Sequence, residues 1–145
     1  VIIVQVGTRS FSKLGGLASK MPITAVCAVI GALTIMGIPP TSGFMGEWMV
    51  FYGALETAIE EGNDLRSLMF ALGLIATALT MSYILWMLKR VFFGKLPENL
   101  QNVKDGSWYM LAPMMVLAGF TIVVGIYPDI FLGHIMPYMQ GVMGG

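Results

Sequence analysis

Glu47 is the residue best placed to do chemistry, because it is the only charged side chain between Met21 and Phe51. A carboxylate in an apolar run of membrane length is expensive to bury, and the default reading of such a group is functional. Just before it lies Gly37-Ile38-Pro39-Pro40-Thr41-Ser42-Gly43. Each proline lacks an N–H donor and crowds the preceding turn, so Pro39 and Pro40 end a helix. Gly37 and Gly43 flank them, and Thr41 or Ser42 can cap a new helix. A helix interrupted by Gly and Pro beside an ionisable residue is the pattern of an ion-binding element in a transporter. The chemistry on offer is proton uptake and release. The bland alternative is a loop at Pro39-Pro40, with Glu47 an exposed acid on the first turns of a second helix.

Other polar candidates are weaker. Lys89 and Arg90 close an uncharged run and read first as interfacial anchors with a possible secondary part in coupling. His134 is the single histidine; it reads as a tail residue before it reads as a proton-exit group. Thr77, Thr80 and Ser82 would line a wet path, yet hydroxyls in membrane helices more often bond their own backbone or a neighbour. Cys27 is the single cysteine and sits among apolar residues. No intrachain disulfide and no Cys/His cluster for zinc, haem or iron–sulfur follows from this content. No cofactor and no metal are expected in the chain.

Composition supports a membrane setting. Of 145 residues 57% are hydrophobic and 11% charged, with zero net charge; soluble domains carry roughly 25% charged residues. Nothing basic enough for nucleic acid is present. The apolar stretches define an all-α, polytopic transmembrane bundle fragment with one discontinuous helix. Residues 1–6 read as the end of a preceding helix, and the opening Val with no signal-peptide pattern predicts a piece of a longer chain. The discontinuous helix covers 21–59, as halves 21–38 and 44–59. Further helices are predicted over 68–88 and 108–126, with a tail over 127–145. In the first half, Ala25, Ala28, Gly31 and Ala32 are small enough for a neighbouring helix to come close. In the second, Phe44, Trp48, Phe51, Tyr52 and Leu55 read as one broad apolar face.

Loop charge chooses the topology. The 7–20 loop carries Arg9, Lys13 and Lys20; the 89–107 loop carries Lys89, Arg90, Lys95 and Lys104 against Glu98 and Asp105. The 56–66 loop is acidic, with Glu56, Glu60, Glu61 and Asp64 against Arg66. If 21–59 crosses once, all the basic loops share a side; if it crosses twice, Lys and Arg divide evenly. Positive residues favour the cytoplasmic side, so one broken crossing is preferred. That places 7–20 and 89–107 in the cytoplasm, and 56–66 and the C-terminus outside. Residues 21–59 number 39, about 58 Å as one straight helix against a core of about 30 Å. The halves must therefore tilt, overlap or extend beyond the bilayer.

These residues resemble a known family. Gly15-Gly16-Leu17-Ala18-Ser19-Lys20-Met21-Pro22, the run from Gly37 to Trp48, Lys89-Arg90-Val91-Phe92-Phe93-Gly94 and Gly125-Ile126-Tyr127-Pro128 are similar to the C-terminal third of the antiporter-like membrane subunits of respiratory complex I. Those are related to Mrp-type antiporters and membrane-bound hydrogenases. The resemblance implies a proton relay at Glu47 on a discontinuous helix built from Gly37, Pro39, Pro40, Ser42 and Gly43. Glutamate rather than lysine at this position implies the M-type subunit. It implies a non-redox, ion-translocating subunit of an NADH:quinone oxidoreductase-like translocase in a prokaryotic plasma membrane. Its partners would be other membrane subunits of a respiratory or hydrogenase-type complex. The family's other ionisable residues have no counterpart here and would lie before Val1. The alternatives are a subunit of an Mrp-type cation/proton antiporter or membrane-bound hydrogenase and, third, a structural membrane subunit without its own channel.

Overall fold

The computed structural model describes residues 1–7, 10, 14–60, 64–130 and 133. Its described residues form five α-helices: α1 Ile2–Val6, α2 Pro22–Ile35, α3 Ser42–Glu60, α4 Asp64–Phe92 and α5 Trp108–Ile126. Short 3-10 turns at Leu17–Ser19 and Glu98–Leu100 lie in the connections. α4 and α5 are long and apolar enough to cross a membrane, and α2 is a shorter apolar helix.

The broken element runs alongside α4. Ala25 and Ala32 of α2 and Met36 at its C-terminal cap share one core cluster with Ile84, Leu88, Val91 and Phe92 from the C-terminal half of α4. α3 continues along the other half, where Phe51 meets Phe70 edge-on at 6.1 Å between ring centroids and touches Gly73. The halves follow one another along a single partner helix; they do not fold into a hairpin. α5 lies beside α2 and in the same direction: Asp105, just before it, bonds Ile23 and Thr24, while Gly125 at its end meets Pro40 and Thr41.

Several bounds differ from the sequence reading, each for a physical reason. α2 stops at Ile35 rather than 38 because Gly37 turns left-handed, at φ 59. The predicted 56–66 loop is helical where it is described: Glu56 lies within α3, and Asp64 and Arg66 within α4. Helix-forming residues continue to Glu60, and Asp64 suits a helix N-terminus. α4 likewise runs past Leu88, since Lys89 and Arg90 in its last turn are favoured by the negative end of the helix. The 7–20 segment is not simply polar either. Leu17, beside Met21, is fully buried in the core. Of the four small residues in α2, Ala25 and Ala32 are buried, whereas Gly31 faces open space. On the apolar face of α3, Phe51 turns to α4, while Trp48 and Tyr52 are exposed.

Glycines set the closest approaches. Gly15 and Gly16 lie against the backbone of Gly94, Lys95 and Leu96, at distances where no Cβ would fit. That contact fixes the basic connections before α2 and after α4 at the same end of the bundle.

Candidate functional site

The break closes on itself through its own backbone. At the end of α2, the Gly37 N–H donates to the Thr34 carbonyl at 3.2 Å and the Ile38 N–H to the Leu33 carbonyl at 3.0 Å. This pair, with left-handed Gly37, is a Schellman cap. It satisfies carbonyls that a helix end would otherwise leave without partners. Thr41, 2% exposed, completes the closure: its hydroxyl donates to the Ile38 carbonyl at 2.8 Å and lies 3.5 Å from that of Leu33. α3 then starts, with the Phe44 N–H donating to the Thr41 carbonyl at 3.2 Å. Irregular backbone persists at membrane depth only when its polar groups are met in this way.

Two glycines make the closest approaches at the break. At Gly43 the Thr34 carbonyl occupies the space a Cβ would need, so the start of α3 lies beside the last turn of α2. The halves therefore overlap. Gly125 of α5 does the same against the Pro40 carbonyl and Thr41. Between these contacts Pro39 and Pro40, joined by a cis peptide bond, form the exposed rim.

Glu47 enters this junction from α3. Side chains on a helix lean toward its N-terminus. Glu47, in the second turn, is thereby carried back toward the break. Its carboxylate lies against Gly37, where it fills the volume a Cβ would take. Gly37 is itself buried and Glu47 half-buried. The carboxylate thus sits where the positive end of α3 and the negative end of α2 meet.

Comparison with known proteins identifies the setting of this geometry. Residues 1–61 match the NADH:quinone oxidoreductase/Mrp antiporter transmembrane family. The chain is 33% identical to a Na(+)/H(+) antiporter subunit of Alkalihalophilus pseudofirmus, over 99% of this chain and 18% of that protein. It is 31% identical to the M subunit of NADH-quinone oxidoreductase of Rhodobacter capsulatus, over 94% of this chain and 25% of the relative. With the M subunit of F(420)H(2) dehydrogenase of Methanosarcina mazei it shares 30% identity, over 85% and 23% respectively. The chain is a relative of the antiporter-like membrane subunits. It is therefore an integral membrane protein, and it spans about a quarter or less of the length of these relatives.

Within this family framework the remaining candidates separate in space. Lys89 and Arg90 stand at the C-terminal end of α4, the end that packs against Leu17 and Met21 at the start of α2. α2 has 14 residues, so about 21 Å of helix separates that end from the break. The structure does not bring Lys89 or Arg90 to Glu47. His134 lies outside the described residues. The Thr80 and Ser82 hydroxyls return to carbonyls of their own helix, Ala76 at 3.0 Å and Ala78 at 2.8 Å. Ser42 opens α3, but Thr41 is the residue whose hydroxyl closes the break.

Three participants have little signal in the sequence. Thr41 stands there only as one of two candidate caps. Gly125 stands only as part of a motif. Asp105 stands only as a loop charge, yet it accepts hydrogen bonds from the Ile23 and Thr24 N–H groups, each at 3.1 Å, and from the Thr24 hydroxyl at 2.8 Å. It caps α2 from 81 residues away. A capping motif is local in sequence, and this one is not.

Proposed function

We propose that this chain supplies the broken-helix part of a proton-translocating, antiporter-like subunit in a redox-driven membrane complex, with Glu47 as the proton relay. The observation that carries the reading is the carboxylate lodged against left-handed Gly37 where two half-helix ends overlap. Glu47 would take a proton from a polar path supplied by other parts of the assembly. It would release that proton toward the end of α3 near the acidic 56–66 segment. In this reading the connections at 7–20 and 89–107 face the cytoplasm of a prokaryotic cell. Electron transfer belongs to other subunits.

The test is Glu47→Gln in the assembled complex, with proton uptake into vesicles measured beside assembly and electron transfer. Pumping should fall to background with the complex intact. Pumping at the wild-type rate would overturn the proposal. A second reading, a component of a cation/proton antiporter, is favoured by the similarity to the Na(+)/H(+) antiporter relative. Purification discriminates between them. Iron–sulfur or flavin subunits that co-purify support the redox-driven pump, whereas sodium-dependent proton exchange without them supports the antiporter.

A further inference from the structure

We infer that the C-terminal end of α4 carries a binding site for one phospholipid with an anionic headgroup. A cavity of about 380 Å³ lies there, lined by Leu14, Gly15, Trp86, Lys89, Arg90, Phe93, Gly94 and Lys95. Among the described lining residues, three side chains are cationic and two are aromatic. Its floor is the Gly15–Gly94 contact, so close that the Lys95 carbonyl blocks a Cβ at Gly15. The site is thus built from two connections held together by backbone.

Its position points to a lipid. The cavity opens where α4 leaves an uncharged run from Ser67 to Leu88, a length that spans the hydrocarbon core. Trp86 is 55% exposed and Phe93 66% exposed. Both suit the boundary between acyl chains and headgroups. The Arg90 guanidinium lies over the Trp86 ring, 5.2 Å from its centroid, which holds positive charge beside the apolar wall. Lys89 and Lys95 flank the opening. Among the described residues, Glu98 is not part of the lining, and Asp105 accepts hydrogen bonds from Ile23 and Thr24. Basic pockets at helix ends on the positive side of a membrane are suited to phosphodiester headgroups. A free phosphate would satisfy the lysines but leave Trp86 and Phe93 uncovered, so the occupant is the lipid.

The test uses the chain with Trp48→Phe and Trp108→Phe, leaving Trp86 as its single tryptophan. It is reconstituted in phosphatidylcholine vesicles holding a small fraction of brominated phosphatidylglycerol or brominated phosphatidylcholine. Bromine quenches a tryptophan that it touches. The anionic lipid should occupy the site with roughly thirty- to hundredfold preference, the order expected when two or three cations act together at a membrane surface. Adding Lys89→Gln, Arg90→Gln and Lys95→Gln should remove the preference, with helicity unchanged by circular dichroism. Equal quenching by the two lipids overturns the proposal, as does a preference that survives loss of the three cations. Inorganic phosphate, compared with chloride at equal ionic strength, should not displace the lipid. Displacement would assign the site to a soluble anion and overturn the lipid.

Discussion

The two halves of the broken helix are built differently. α2 is held on its sides and at both ends. Ala25, Ala32 and Met36 are buried against α4, Asp105 caps its start, and the Schellman turn with Thr41 closes its finish. α3, which carries Glu47, has Ala58 as its one buried residue among those described, apart from Ser42-side closure at the break itself. Trp48, Val50, Tyr52, Leu55 and Ile59 are exposed on it. The chain spans about a quarter or less of its relatives. The difference teaches that this segment builds a rigid anchor for the break within itself, while the half bearing the ionisable group leaves most of its surface for lipid or other protein. The acid is fixed at its base by the anchored half, on a helix that meets α4 through Phe51 and exposes Trp48, Val50, Tyr52, Leu55 and Ile59.

Substitutions at the overlap should break that contrast most severely. Gly43→Val places a branched side chain where the Thr34 carbonyl sits. Backbone cannot yield as a flexible side chain can, so the halves must separate. The expected loss is ~3 kcal/mol, at the upper end for overpacking, seen as a lower midpoint when the detergent-solubilised protein is titrated with dodecyl sulfate. Gly37→Ala comes next. A residue with a Cβ in the left-handed region costs ~1–2 kcal/mol, and here the same Cβ collides with the Glu47 carboxylate. Part of the effect therefore lies in the position of Glu47. In the background of Glu47→Ala the stability cost of Gly37→Ala should shrink. An unchanged cost would show that Glu47 does not rest on Gly37.

Some of this arrangement is legible in the sequence and some is not. Pro39-Pro40 with its flanking glycines announces a break, because proline and glycine act through local backbone geometry. The uncharged runs announce helices for the same reason. What escapes is what depends on contact between distant residues. Asp105 reads as one acid in a mixed loop; only the fold brings it to Ile23 and Thr24. Gly125 reads as a helix-end glycine until Pro40 and Thr41 are seen to need its missing Cβ. The charged ends of α4 mislead in the other direction. Asp64, Lys89 and Arg90 look like loop residues by composition, yet their signs match the helix ends they occupy. Lys89 and Arg90 read first as interfacial anchors, and the length of α2 keeps them from Glu47.

Asp105→Ala should loosen α2 at the end remote from Glu47. It removes the acceptor for two backbone N–H groups and for the buried Thr24 hydroxyl. Loss of an N-cap costs ~1–2 kcal/mol, read in the same dodecyl sulfate titration. Asp105→Asn retains a carbonyl oxygen and should recover part of that loss. Hydrogen exchange should rise in the first turn of α2 and stay unchanged at the break. Exchange that rises equally at both ends would mean that α2 responds as a single unit, not as an element pinned twice.

Thr41→Val makes the smallest change at the most informative place. Valine keeps the shape of threonine, and only the hydroxyl bond to the Ile38 carbonyl is lost. The Ile38 carbonyl still accepts from the Thr41 N–H at 3.2 Å, so it is not left bare, and the cost is ~1 kcal/mol, that of one ordinary hydrogen bond. Thr41→Ser restores the donor without the methyl group. If stability follows the hydroxyl, with serine near wild type and valine below it, the break is held by its polar closure and the comparison between the halves stands as drawn. If stability follows the methyl group, with valine near wild type and serine below it, packing of the Thr41 side chain holds the break and its polar closure is secondary.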